Sequence, residues 1–269
     1  MSDKLSLLKN WFKNHKGTVT AFSGGVDSSL VLYVSNLVLR ENAIGLISNS
    51  ESLKSKDFDI ASTFCSNHNI QLEVIKTDEL NDPNYTANPT NRCFFCKNHL
   101  YEAMIDVIRE KYPTFTILNG TNFDDLGDYR PGLQAASIHQ IKSPLVELKI
   151  TKKEVIEMAN ELGIETANKP PSPCLSSRIP YGTEVTDTRL RQIENAEYIL
   201  NDFGFETVRV RNNGDEASIE VAHDEIEKLK ENFELISIGI RNLGFKNVRI
   251  DTEGFVSGKL NRILHGKTV

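Results

Sequence analysis

The sequence predicts an α/β protein: a parallel, doubly wound sheet followed by a smaller C-terminal α+β domain. Three observations carry this expectation. Over the first half, short apolar runs alternate with segments of helical periodicity, the pattern of strands joined by crossover helices. A turn rich in serine and glycine, Ser23–Ser29, joins the first such strand to the first long helix. After Gly182 the texture changes, and what remains is too short for a second nucleotide-binding fold.

In chain order, Leu5–Lys13 reads as an amphipathic helix. The apolar, β-branched run Thr18-Val19-Thr20-Ala21-Phe22 predicts a strand over Val19–Phe22. Helical spacing from Leu30 to Leu39 predicts a helix over Ser28–Leu39. Strands are expected at Ala43–Ile47, Leu72–Ile75 and Thr116–Leu118, and helices at Ser55–Asn67, Asn98–Lys111 and Thr151–Leu162. Thr77–Arg92 and Asn168–Thr183 lack periodicity, and loops this long inside a compact domain are usually functional or disordered. Asn168–Thr183 carries Cys174, and Cys93 follows directly on Thr77–Arg92. Thr188–Asp202 predicts a helix, Gly204–Arg211 a strand pairing with Ala217–Val221, and Asp224–Leu243 a helix pair leading to a strand over Gly244–Asp251. The phrase Gly-Phe-x-x-Val-Arg occurs at Gly204 and again at Gly244, a weak internal echo. The expected division is a nucleotide-binding domain over residues 1–167, a catalytic loop over 168–183, and an α+β domain for substrate binding and oligomerisation over 184–269.

Composition narrows the class. The chain has 269 residues, 39% of them hydrophobic and 25% charged, as in ordinary globular proteins. No apolar stretch approaches the roughly 20 residues that span a bilayer, and the N-terminal residues carry scattered charge with no signal-peptide core. A cytoplasmic protein without a membrane partner is expected. The formal net charge of −6 argues against a polyanionic partner such as tRNA. Four cysteines in such a chain point to metal or catalytic use rather than to structural disulfides.

Ser23-Gly24-Gly25-Val26-Asp27-Ser28-Ser29 is the most informative stretch. A strand, a tight glycine loop and a helix start present bare backbone N–H groups and the positive end of a helix dipole to one point. Two adjacent glycines let the backbone curl into an anion-binding nest and let a phosphate approach closely. The serines add hydroxyl donors. Asp27 beside such a nest would repel a phosphate, and Mg²⁺ between them removes the conflict, with Asp27 as its hard oxygen ligand. No lysine follows the glycines, so this is not the G-x-x-x-x-G-K-[ST] loop. A serine-capped glycine turn is the plainer alternative.

Cys93-Phe94-Phe95-Cys96 places a C-x-x-C at a loop-to-helix junction. It reads as a dithiol redox pair, as half a metal site, or as an incidental pair. Cys174 stands alone in a proline-rich loop beside Ser176-Ser177-Arg178, where Arg178 and backbone amides would favour its thiolate for nucleophilic work. Cys65, in a helical pattern with Ala61 and Phe64, reads as a buried apolar residue. Three thiolates on a 4Fe-4S cube leave one iron open for an exogenous ligand such as hydrosulfide.

Ser23–Ser29 resembles the PP-loop of ATP pyrophosphatases (adenine nucleotide alpha hydrolase-like proteins), pattern S-G-G-x-D-S. That resemblance implies a grip on the pyrophosphate of ATP and transfer of AMP to an oxygen of the substrate. With Asn119-Gly120-Thr121-Asn122-Phe123-Asp124-Asp125-Leu126-Gly127-Asp128-Tyr129-Arg130-Pro131-Gly132-Leu133, Ser143-Pro144-Leu145, Pro173 to Gly182, Val208-Arg209-Val210-Arg211 and Gly254 to Asn261, the whole chain resembles the LarE family. These are PP-loop sulfur transferases of nickel-pincer nucleotide cofactor biosynthesis. The resemblance implies that ATP adenylates a carboxylate of a pyridinium biscarboxylic acid mononucleotide, releasing pyrophosphate, and that the cysteine at Cys174 then acts on the activated carbonyl. In one branch of the family that cysteine sacrifices its own sulfur. In the other, three cysteines hold a 4Fe-4S cluster that carries sulfide, and Cys93, Cys96 and Cys174 match this second pattern. The implied ATP site takes in Ser23, Gly24, Gly25, Val26, Asp27, Ser28 and Ser29, with Gly120 and Asp124, and Asp27 serves as the Mg²⁺ ligand.

The substrate phosphate needs a basic clamp. Arg209 and Arg211 lie two apart on one strand face and read as that clamp or as solvated surface groups; in the first case Arg178 and Ser177 would join them from the cysteine loop and Glu197 would position the substrate. Asp124, Asp125 and Asp128 read equally as metal or ATP contacts and as turn formers. The implied partners are a small nucleotide substrate, a sulfide or other sulfur donor, and further copies of the chain in a homo-oligomer, possibly a hexamer by family resemblance. Competing readings are a tRNA thiolase, an ATP-dependent amide ligase, and a nucleotide-binding thiol sensor that is not an enzyme.

Overall fold

The computed structural model describes residues 3–127, 131–256 and 258–265. Its elements are α1 (Asp3–Phe12), β1 (Thr18–Ala21), α2 (Val26–Leu39), β2 (Ala43–Ser48), α3 (Ser55–Asn67), β3 (Gln71–Ile75), α4 (Pro83–Thr86), α5 (Arg92–Lys111), β4 (Thr116–Leu118), α6 (Gly132–Ile138), α7 (Pro144–Glu147), α8 (Lys152–Glu161), α9 (Asp187–Asp202), β5 (Val208–Asn213), β6 (Glu216–Val221), α10 (Ile226–Arg241) and β7 (Asn247–Ile250). The chain divides into two compact units. One comprises Met1–Glu79 and Cys93–Ser172, the other Leu80–Arg92 and Pro173–Val269.

In the first unit four strands run parallel in the order β3-β2-β1-β4. Both faces are covered, as parallel sheets require. On one face Leu5, Leu8 and Phe12 of α1, Leu30, Val31 and Val34 of α2, Phe64 and Cys65 of α3, and Val155 and Met158 of α8 form one core. On the other, Val19 of β1 and Ile44 and Leu46 of β2 pack against Tyr101, Met104 and Ile108 of α5 and Ala135 and Ala136 of α6. This is the doubly wound sheet that the alternating pattern predicts. Chain order reverses between β1 and β4, and the loops leaving the carboxyl ends of these neighbours meet at a topological switch point, where open α/β sheets bind ligands.

In the second unit β5 pairs antiparallel with β6 and β6 parallel with β7, and α9 and α10 supply its core with Leu200, Phe205, Leu229, Ile236 and Ile240. Asp224–Leu243 forms one helix, α10, after a 3-10 turn at His223–Glu225, rather than the expected pair. Its apolar stripe through Ile226, Leu229, Ile236 and Ile240 runs unbroken, so no break is encoded. The Gly-Phe echo is a repeated helix stop. Gly204 and Gly244 take positive φ after α9 and α10, and the phenylalanine after each is buried in the core. The strand of the first echo accordingly starts at Val208. α5 begins at Arg92, six residues before the expected start at Asn98, so Cys93 and Cys96 stand on one side of its first turn. No described helix is long and apolar enough to cross a membrane.

Candidate active site

The first unit builds a phosphate cradle at the switch point. β1 ends at Ala21 and α2 starts at Val26, with Gly25 as its extended N-cap. Gly24 turns the chain at φ +66, where a side chain is strained. Ser28 Oγ donates to the carbonyl of Gly25 at 3.1 Å and accepts from the Ser23 amide at 3.3 Å, closing the loop on itself. Val26 is buried in the core, so its contribution to a ligand is the backbone N–H at the helix start. Ser29 Oγ is buried without a partner in the described structure, and Ser28 is also buried. Gly120, just beyond β4, presses on this turn: a Cβ there would lie 2.6 Å from the Ser28 amide nitrogen. Only glycine permits that approach.

Asp27 sits in the first turn of α2, where the helix dipole favours a carboxylate. Its Oδ1 accepts from Asn122 Nδ2 at 3.0 Å and its Oδ2 pairs with Lys152 Nζ at 2.5 Å. Asp124 Oδ2 accepts from the Lys152 amide at 2.8 Å, and the amides of Asp124 and Asp125 donate to Asn122 Oδ1. Asp125 Oδ2 accepts from the Asn122 amide at 3.1 Å. Asp124 and Asp125 thus hold turn and helix-start amides, and Asp128 lies outside the described residues. Among the described residues no group of three or more His, Cys, Asp or Glu side chains is arranged to hold a metal ion. The donor set suits Mg²⁺ in its usual manner, one carboxylate with the remaining positions left to phosphate and water. Lys152 occupies that carboxylate and would have to release it.

Lys152 and Asn122 are the residues that the sequence reading passed over as site members. Lys152 carried a signal: it opens α8 behind the Thr151–Glu154 capping box, and a cation at a helix N-terminus runs against the dipole. Lys169 carried none. It donates to the Gly24 carbonyl at 3.2 Å and pairs with Asp57 at 2.9 Å, while Ser172 Oγ donates to Asp57 at 2.6 Å. Residues up to Ser172 therefore support the glycine loop, while Pro173 onward belongs to the other unit.

In the second unit Cys174 caps a 3-10 turn, Leu175–Arg178, and is partly buried. Arg178, only 1% exposed, is the hub of this turn. Its NH1 donates to the carbonyls of Pro173 at 2.6 Å and Cys174 at 3.1 Å and to Ser177 Oγ at 2.9 Å, and its Nε pairs with Glu197 at 2.9 Å. Glu197 also accepts from the Val210 amide at 3.2 Å. Arg178 is thus directed at the backbone of Cys174, with Glu197 balancing its charge. Arg211 forks onto Glu220 at 2.9 and 3.1 Å and reaches the Ser177 carbonyl at 2.9 Å. Arg209 differs from both. It is buried, lies over the Phe255 ring at 4.4 Å, and has no hydrogen-bond partner among the described residues. Burial, and then the charges of Arg178 and Arg211, push its pKa down to about 10. A guanidinium so placed has the chemistry to receive an anion.

Cys93 is exposed and Cys96 partly buried, both in the first unit. Cys65 is buried, and that burial pushes its thiol up to about 12, which leaves it inert.

Known proteins resemble the chain along most of its length. The NAD synthase family profile matches residues 6–90, the span from α1 past β3 that contains the glycine loop. An uncharacterized protein of Synechocystis is 40% identical over 98% of this chain and 99% of its own length. An uncharacterized protein of Methanocaldococcus jannaschii is 33% identical over 91% of this chain and 93% of its own. The pyridinium-3,5-bisthiocarboxylic acid mononucleotide synthase of Lactiplantibacillus plantarum is 33% identical over 98% of this chain and 96% of its own. With near-complete coverage at that identity, the chain belongs to the LarE family of PP-loop, ATP-using enzymes.

Proposed function

We propose that this protein is an AMP-forming sulfur transferase that activates a carboxylate of a pyridinium biscarboxylic acid mononucleotide with ATP and converts it to a thiocarboxylate. The observation that carries the reading is Arg209, a buried guanidinium whose donors meet no acceptor among the described residues, one residue from Val210, whose amide binds the partner of Arg178. A phosphate-bearing substrate held there is held beside the turn of Cys174. The name of the Lactiplantibacillus relative supplies the substrate class.

A carboxylate is a poor electrophile. In the first step its oxygen bonds to the α-phosphorus of ATP and the bond to the β-phosphate bridging oxygen breaks, releasing pyrophosphate. The Ser23–Ser29 loop and the start of α2 stabilise the leaving pyrophosphate electrostatically. Mg²⁺, when bound at Asp27, neutralises charge on the phosphates. Lys152, displaced from Asp27, is a second cation for them. In the second step sulfur bonds to the acyl carbon and AMP leaves. Arg178 holds the carbonyls of Pro173 and Cys174, which sets where the thiol of Cys174 is offered.

The source of the sulfur follows from the cysteines. Cys93, Cys96 and Cys174 are the residues that would hold a 4Fe-4S cluster, and such a cluster, when bound, supplies a transferable hydrosulfide. The test is anaerobic purification with iron, sulfide and visible-absorption analysis, followed by pyrophosphate release with ATP and either the mononucleotide or bulk tRNA. Iron and sulfide near four each per chain, with release only on the mononucleotide, is the expected result. Zinc without iron, or Cys174 recovered as dehydroalanine after turnover, ends the cluster reading. Release with tRNA alone ends the whole proposal.

A further inference from the structure

We propose that Asn88 is a positioning residue for Cys174, acting through the loop that carries it. The proposal rests on the reading of Cys174 as a residue of the sulfur-transfer site. The segment Leu80–Arg92 belongs to the second unit although the chain on both sides of it belongs to the first. It lies as a strap along the cysteine loop, and Asn88 is its centre.

Asn88 is fully buried and adopts φ +53, a left-handed conformation that asparagine and glycine tolerate. Its side-chain amide donates to the carbonyls of Ile179 at 3.3 Å, Pro180 at 2.7 Å and Thr183 at 2.9 Å. Its side-chain oxygen accepts from Arg92, and its own carbonyl accepts from the Gly182 amide at 2.9 Å. Two further ties flank it. Tyr85 OH and Ser176 Oγ are 2.6 Å apart, and Arg92 NH1 donates to the Ser176 carbonyl at 3.0 Å.

The loop these groups grip has no strand ladder of its own and one short 3-10 turn. Ordering such backbone carries an entropic cost at every residue. From one side Arg178 fixes Pro173 and Cys174, and from the other Asn88 fixes Ile179, Pro180 and Thr183. A thiol that must be presented at the site of sulfur transfer within a few tenths of an ångström needs both. Asn88 touches neither reactant, so its loss should spare activation of the carboxylate and strike the transfer of sulfur.

Asn88→Gly is the informative variant, because it keeps the left-handed backbone and removes only the side-chain hydrogen bonds. In the full-length protein, pyrophosphate release with ATP and the mononucleotide should stay within about twofold. Thiocarboxylate formed per pyrophosphate released should fall about 100-fold, the penalty for ångström-scale misplacement. In protein stripped of any cluster, alkylation of Cys174 by iodoacetamide, followed by peptide mapping, should change severalfold, with Cys93 and Cys96 unaffected. Asn88→Asp, the same size with acceptors facing three carbonyls, should be no better than glycine.

Equal loss of both reactions, with their ratio kept, marks a merely structural residue and overturns the proposal. So does an unchanged ratio with unchanged alkylation. If the unmodified protein forms no thiocarboxylate, the proposed function fails by itself and Cys174 alkylation alone decides the role of Asn88. If Asn88→Gly does not fold, Tyr85→Phe removes one tie to Ser176, and the same ratio decides.

Discussion

At the scale of single residues, two side chains define what each unit can do. Asp27 is held by Asn122 and Lys152, with the ammonium 2.5 Å from its carboxylate. Asp27→Asn removes the carboxylate proposed to hold Mg²⁺ and leaves Lys152 without its partner. Pyrophosphate release should fall by on the order of 10²–10³, read in a coupled assay at saturating ATP. Lys152→Met should raise the KM for ATP and shift the Mg²⁺ dependence, because Asp27 is then open without competition. Arg209 gives the opposite kind of prediction. A buried cation with two like-charged neighbours and no hydrogen-bond partner among the described residues burdens the fold. Inorganic phosphate should raise the thermal midpoint of the unmodified protein, and Arg209→Met should leave the midpoint itself unchanged or higher yet abolish that shift. A lower midpoint with the phosphate shift retained would show that Arg209 serves the core.

At the scale of elements, close approach decides the cradle. The loop after β4 reaches the first turn of α2 only because Gly120 has no side chain, with 2.6 Å left between an ideal Cβ and the Ser28 amide. The obstacle is backbone, so it cannot rotate away. Gly120→Ala should therefore destabilise the protein by about 1–3 kcal/mol, as overpacking does, and weaken ATP binding more than the stability loss explains. Urea titration and ATP binding on the same sample separate the two. Element boundaries carried their own lesson. α5 starts at Arg92 because Arg92 is bonded to Asn88 and Ser176, partners far away in the chain that no local periodicity reveals. α10 runs as one helix because its apolar stripe is continuous, and that was legible in the residues from Ile226 to Ile240.

At the scale of the molecule, stability above neutral pH should carry the mark of Cys65. Burial raises its pKa from 9.0 to about 12. The folded state keeps a proton that the unfolded chain releases, so the contribution is complete below pH 9 and is lost as pH rises from 9 towards 12. Urea unfolding of the unmodified protein and Cys65→Ala between these limits should show the variant losing less stability per pH unit, by up to about 1.4 kcal/mol. Equal slopes would mean that the thiol is not protected. What the sequence by itself determined is the doubly wound sheet, the loop from Ser23 to Ser29, the inert Cys65 and the arginine pair on β5. Each follows from period, spacing or composition over a few neighbouring residues. What only the tertiary structure decided is how these groups are engaged: Lys152 on Asp27, Arg178 turned to backbone and Glu197, Arg209 left with idle donors, and Asn88 gripping the loop of Cys174 from 91 to 95 positions away. Such pairings depend on which distant segments the packed cores bring together, and no local pattern of charge or hydropathy encodes that.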